Sequence, residues 1–224
     1  MQTTKKIDVR RLTVTAMLTA LAYAIAAASS LLLPIKIQGF LSLEFKDCIL
    51  AIGAFIFGPA TGALMALIVA FLELITVSTT GWIGMIMNVL SSVAFVCPAA
   101  YIYKNRRTVT GAVFGLAVGT VAVTAVMLLW NYIMTPLYLG ASREMVMQLL
   151  VPVILPFNVL KAALNSALTM LLYKTVVSVL RKAHLLPQSE QSATRRKLSV
   201  VVTAVAFVCA TTLLLTALAW SGIL

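Results

Sequence analysis

Leu12–Leu33 reads LTVTAMLTALAYAIAAASSLLL, an uncharged run closed by Pro34. At 1.5 Å per residue a helix of that length rises about 33 Å, enough to cross a bilayer's hydrocarbon core. The run is too long for a signal-peptide apolar region of about 7–15 residues, and no A-x-A site gives way to a soluble domain. It is therefore expected to be a retained helix. Similar runs recur to the end of the chain, whose 224 residues are 62% hydrophobic and 10% charged, with a mean hydropathy of +1.05. Soluble domains are about half apolar and about a quarter charged. This chain lacks the polar surface to cover such a core in water, which excludes a water-soluble enzyme. Membrane barrels need alternating segments of about ten residues, so strands are not expected. The fold class is all-α, a polytopic membrane protein. Cys48, Cys97 and Cys209 lie scattered in apolar segments without a C-x-x-C pair, which excludes a disulfide scaffold.

Beyond Pro34 comes a mixed segment, Ile35–Asp47. The apolar stretch Cys48–Phe71 is broken by Gly58-Pro59 and predicts two helices, the first short, meeting at a tight turn. After a polar loop at Thr76–Gly81, a fourth helix runs from about Trp82 to Tyr103 and a fifth from about Val109 to Tyr138. The loop around Gly140–Glu144 leads to a sixth helix ending near Lys182. A polar linker then precedes a last apolar run, Leu198–Trp220. The organisation is a six-helix bundle over residues 1–182, a linker over 183–197 and an additional C-terminal transmembrane helix within 198–224.

The net charge of +11 is an orientation signal. With a cytoplasmic N-terminus, thirteen Lys and Arg residues fall inside, and only Lys36, Lys46 and Arg143 fall in outside loops. The C-terminus is then outside. The basic excess fits contact with anionic lipid, and nucleic acid is not needed to explain it. The remaining basic residue, Lys161, belongs to neither side.

Asn158, Lys161 and Asn165 are spaced i, i+3, i+7 and share one face of the sixth helix. A lysine that deep costs about 2.5–3.5 kcal/mol to insert, which favours a ligand-facing role over a purely structural ion pair. Pro152 and Pro156 loosen the entry to this helix and free backbone groups. Glu73, near the outer end of the third helix, reads equally as an interfacial carboxylate or a functional one. Asn88 and Asn131, taken singly, are interhelical glue. With Asn158 and Lys161 they place polar groups of three helices at similar depth, as a binding pocket does. Trp82, Trp130, Tyr132, Tyr138 and Phe157 gather at that level, either as an interfacial belt or as a surface for a flat heteroaromatic ligand.

Two small-residue stripes permit close helix approach: Ala16, Ala20, Ala24 and Ala28, and Gly111, Gly115 and Gly119. Packing inside the bundle accounts for either equally well. The chain has no G-x-x-x-x-G-K-[ST], so no P-loop ATPase of its own. Its single histidine, His184, offers neither a His-based metal site nor a Ser-His triad. No catalytic residue is assigned.

Several stretches together resemble the substrate-binding S components of energy-coupling factor (ECF) vitamin transporters. They are Leu41-Ser-Leu-Glu-Phe-Lys-Asp47, Phe57-Gly-Pro59, Asn88-Val-Leu, Ala100-Tyr-Ile-Tyr-Lys104, Asn131-Tyr with Pro136-Leu-Tyr-Leu-Gly140, and Leu155-Pro-Phe-Asn-Val-Leu-Lys161. Phe-Gly-Pro is shared widely among S components; the Asn-Tyr with Pro-Leu-Tyr and Pro-Phe-Asn-x-x-Lys segments resemble the riboflavin-specific members. The resemblance implies a six-helix bundle with an outward-facing vitamin site under the loop between the first two helices. It implies riboflavin contacts from Leu43, Glu44, Asp47, Asn88, Asn131, Asn158 and Lys161. It also implies that Ala16, Ala20 and Ala24 dock the transmembrane coupling subunit, and that a separate pair of ATPases supplies energy. Riboflavin is then transported ligand rather than cofactor, and no metal is implied. Glu73 stands where the riboflavin proteins are expected to have an amide, and the seventh helix has no counterpart in the usual pattern. Besides an S component for another vitamin or heterocycle, a membrane scaffold and a self-sufficient secondary transporter remain open, although inverted repeats are not evident.

Overall fold

The computed structural model describes residues 9–32, 36–37, 41–78, 80–140 and 142–186. The run expected to open the chain as a helix does so as α1 (Val9–Leu32). It is followed by a two-strand antiparallel hairpin, β1 (Lys36–Ile37) and β2 (Leu41–Ser42), with Lys36 opposite Ser42 and Ile37 opposite Leu41. Then come α2 (Lys46–Phe57), α3 (Pro59–Thr76), α4 (Gly81–Arg106) and α5 (Val109–Leu139). A short α6 (Arg143–Leu149) passes through a π-helical turn at Leu150–Ile154 into α7 (Leu155–Lys182). The predicted sixth helix is thus one continuous run of two α-helical pieces. Its join contains Pro152, whose missing N–H leaves an i−4 bond unmade and suits the wider π ladder. The hairpin is the one departure from an all-helical reading among the described residues. The linker beyond Leu186 and the predicted seventh helix lie outside them.

The ends follow from local chemistry. Gly58 sits at φ 98°, a conformation that only glycine adopts without strain, and its N–H caps α2 on the Ala54 carbonyl at 2.7 Å. Pro59 then starts α3 with its fixed φ. Thr108 caps α5 by accepting the Gly111 N–H at 3.0 Å, and Gly140 closes it in the left-handed region. Beyond α7, the Leu185 N–H bonds back to the Leu180 carbonyl at 2.9 Å.

Among the described residues, five helical runs are long and apolar enough to cross a membrane; α2, with 12 residues, is not. Instead α2 is apolar on nearly all sides, and ten of its residues, Lys46–Phe55, are buried at the centre of the bundle. The two stripes separate here. The glycine stripe is internal: a Cβ on Gly115 would lie 2.6 Å from the Ala99 carbonyl oxygen, so α4 and α5 approach backbone to backbone there. The alanine stripe is not: Ala16, Ala20, Ala24 and Ala28 are exposed, while Val14, Leu18 and Ala22 point inward.

One end of the bundle is tied by Arg11, which donates to Thr61 Oγ1 at 2.8 Å and the Phe57 carbonyl at 3.2 Å. Phe55 stacks on Tyr103 there, whose hydroxyl meets that of Tyr173 at 3.0 Å. At the other end a separate apolar cluster joins Leu41 and Leu43 to Ile154, Phe157, Leu160 and Leu164, which fastens the hairpin loop onto α7.

Candidate substrate site

The loop from β2 into α2 carries Leu43, Glu44 and Phe45, followed by Lys46 and Asp47 in the first turn of α2. Every one of these except Phe45 is nearly inaccessible. Burying so many charges is costly unless each is paired and hydrogen-bonded, and here they are. Lys46 Nζ lies 2.6 Å from Glu44 Oε2 and 2.8 Å from Glu73 Oε1, which reaches in from α3. Asn88 on α4 donates its amide to Glu73 Oε2 at 3.0 Å. Lys161 on α7 approaches the same Glu44 oxygen more loosely, at 3.4 Å. Asp47 accepts from Ser92 Oγ and sits where the N-terminal end of α2 favours negative charge. Burial opposes ionisation of Glu44, but the Lys161 and Lys46 ammoniums outweigh it and hold the carboxyl at about 2.

Asn165 ties these parts together. Its side-chain nitrogen donates to the Glu44 carbonyl at 3.0 Å and the Lys161 carbonyl at 2.9 Å, and its oxygen accepts the Cys48 N–H at 3.0 Å. One α7 amide thereby fixes both the loop and the start of α2.

Two clefts lie between these helices. The first, a narrow one against this framework, is lined by Asp47 from α2, Ser91 and Phe95 from α4, Val123 from α5, and Asn158, Lys161, Ala162 and Asn165 from α7. The second lies farther along α4 and α5, against Ile83, Met87, Trp130, Asn131, Met134 and Thr135. The first gathers an ammonium, a carboxylate and amides; the second is an apolar slot with one amide.

A family model described as ECF transporter, substrate-specific component, matches residues 10–173. The chain belongs to that family. This S component is 29% identical over 180 residues to the riboflavin transporter RibU of Staphylococcus aureus, covering 77% of this chain and 93% of the relative. It is 26% identical over 192 residues to the riboflavin transporter FmnP of Bacillus subtilis, covering 79% and 98%. A solved structure of the S component of a bacterial ECF transporter superposes with a TM-score of 0.62 at 30% identity, covering 76% of this chain and 97% of that one. With five spanning runs and this family, the protein is a multi-pass membrane protein.

Of the site residues expected from sequence, the S component brings Asp47, Asn158 and Lys161 to the first cleft. Leu43 and Glu44 come to the loop fastened over α7. Asn131 lines the second cleft, with its amide donated to the Met127 carbonyl at 2.7 Å and its oxygen accepting from Thr135. Asn88 is engaged with Glu73. The three amides and the lysine therefore do not line one cleft. Nor do the aromatics: Trp130 lines the second cleft, Phe157 is buried under the hairpin loop, and Trp82 and Tyr132 are exposed.

Sequence reading missed Lys46. Counted among outside-loop charges, it is 1% exposed and forms the centre of the ion network. Glu73 is not an interfacial carboxylate beside water, being 3% exposed, and its ammonium partner is Lys46. A carboxylate near the end of an apolar helix calls for a cation, but the sequence alone does not say which one.

Proposed function

We propose that this S component captures riboflavin, or a close flavin, from outside the cell and delivers it with an ATP-driven ECF module. The observation that carries the reading is the first cleft, where Lys161 and Asn158 of α7 face Asp47 of α2 beside a loop fastened by Leu43 and Glu44. The names of the relatives accord with it. A flavin ring edge offers carbonyl acceptors and an imide N–H. The Lys161 ammonium suits a carbonyl, and the Asp47 carboxylate, which has more acceptor capacity than Ser92 uses, suits the N–H. Asn158 supplies a carbonyl oxygen, since its amide nitrogen donates to Ile154 at 2.8 Å. Asn131, beside Trp130, extends the polar contacts along the second cleft. Asn88 contributes through Glu73.

The N-terminus is cytoplasmic and the C-terminus outside. With Lys46 assigned to the core, thirteen basic residues inside face two outside, Lys36 and Arg143. The chain lacks a P-loop, so a pair of separate ATPases, linked through a transmembrane coupling subunit, supplies the energy. The exposed face of Ala16, Ala20 and Ala24 docks that coupling subunit. The test is an absorbance spectrum of the protein purified from flavin-supplied cells, followed by fluorescence titration with riboflavin. A flavin spectrum and saturable quenching support the reading; a protein that neither retains nor quenches riboflavin overturns it.

A further inference from the structure

Lys46 lines neither cleft, yet it is the most thoroughly buried charge described. Its contact with Glu44, at 2.6 Å, is as short as charge-assisted bonds become. The contact of Lys161 with the same oxygen is 3.4 Å. Glu44 thus belongs to Lys46 first and Lys161 second. Lys46 is itself anchored by both Glu73 oxygens, at 2.8 and 2.9 Å, and Asn88 secures Glu73 from behind. The chain of contacts runs from α4 through α3 and α2 to the loop.

We propose that Lys46 is a positioning residue that acts on the ligand through Glu44, holding the loop at the cleft and keeping the Lys161 ammonium available to the ligand. The inference rests on the flavin reading for its ligand. Without Lys46, Glu44 has one cation left. It draws Lys161 onto itself, and the loop loses its tie to α3. Both changes act on a bound molecule and shorten its residence. Affinity differences of this kind appear in the dissociation rate more than in the association rate.

The decisive variant is Lys46→Met with Glu73→Gln, which removes both charges at near-constant volume and leaves Asn88 an acceptor. Replacing a buried ion pair by neutral groups of similar volume is often neutral for stability. A purely structural pair then predicts an unaltered ligand residence. We expect the full-length double variant to unfold near the wild-type temperature and to release riboflavin at least about tenfold faster, with the association rate within about threefold. Amide hydrogen exchange over residues 41–45 should also accelerate. Wild-type release and wild-type exchange in the folded variant overturn the inference, as does an affinity loss carried by association alone. Should the double variant fail to fold, Lys46→Gln keeps an uncharged donor between the carboxylates and carries the same expectation. If the wild-type protein binds no riboflavin, the flavin reading falls, and exchange over 41–45 alone decides the role of Lys46.

Discussion

Asn165 on α7 accepts the backbone N–H of Cys48 on α2 at 3.0 Å, across 117 residues of chain. That N–H lies in the first turn of α2, where its local backbone bond, to the Phe45 carbonyl, is long at 3.4 Å. The same amide satisfies the Glu44 carbonyl, so one side chain closes two backbone groups of the segment leading into the site.

Asn165→Leu should therefore be costly to stability. It leaves the buried Cys48 N–H with only its long bond to Phe45 and takes the amide donor from the Glu44 carbonyl, at about 1–3 kcal/mol each. At about 2–4 °C per kcal/mol for a chain of this size, a fall in Tm of at least about 5 °C is expected. Thermal unfolding in detergent, followed by circular dichroism, checks it. An unchanged Tm removes Asn165 from its organising role.

Lys161→Met should weaken riboflavin binding at least about tenfold, or about 1.4 kcal/mol, because the ligand's carbonyl edge loses a charged donor. Glu44 keeps Lys46, so folding should be retained, and membrane insertion should not suffer when a buried charge is removed. Asn158→Leu and Asn131→Leu should each weaken binding in the same direction. Fluorescence quenching titrations with purified variants measure all three. Unchanged affinity in a folded Lys161→Met variant reduces the lysine to a structural partner of Glu44.

The two small-residue stripes should respond oppositely to bulk. Ala20→Trp points away from the core, so riboflavin binding by the isolated protein should persist while uptake in cells is abolished. Gly115→Leu drives a side chain into the Ala99 carbonyl and should destabilise the fold itself, by about 1–3 kcal/mol or more. Uptake assays, binding titrations and Tm together separate the two. Loss of binding in Ala20→Trp would place that stripe inside the bundle's own packing.

Truncation should be tolerated if it respects the end of α7. Leu185 and Leu186 pack against the main core, and both close the helix through the Leu180 carbonyl. A chain ending after Leu186 should fold and bind riboflavin with wild-type affinity, since the family match ends at residue 173. Loss of binding in this truncation would show that the last apolar run belongs to the core.

The sequence made the helices and the break between α2 and α3 legible for local reasons: uncharged runs of spanning length, and a Gly-Pro pair that can neither continue a helix nor avoid a turn. Lys161 was legible because a charge inside such a run has few explanations. Lys46 was not, because a charge flanking an apolar run looks the same whether it caps a loop or enters a core. What decides it is the 27-residue separation to Glu73, a tertiary fact. The separation of Asn131 from Asn158 was illegible for a related reason. Helical periodicity gives the direction of a side chain about its own axis, and it says nothing of which neighbouring helix closes the space in front.

The brevity of α2 has a consequence for distance. From the Gly58 turn its 12 residues climb about 18 Å, against about 30 Å of hydrocarbon. A helix of that length falls short of a full crossing, so the chain that leads into it must descend to meet it. On the proposed function, a vitamin bound beside Lys161, which reaches the Glu44 loop just ahead of α2, then has less than the membrane's full width left to cross.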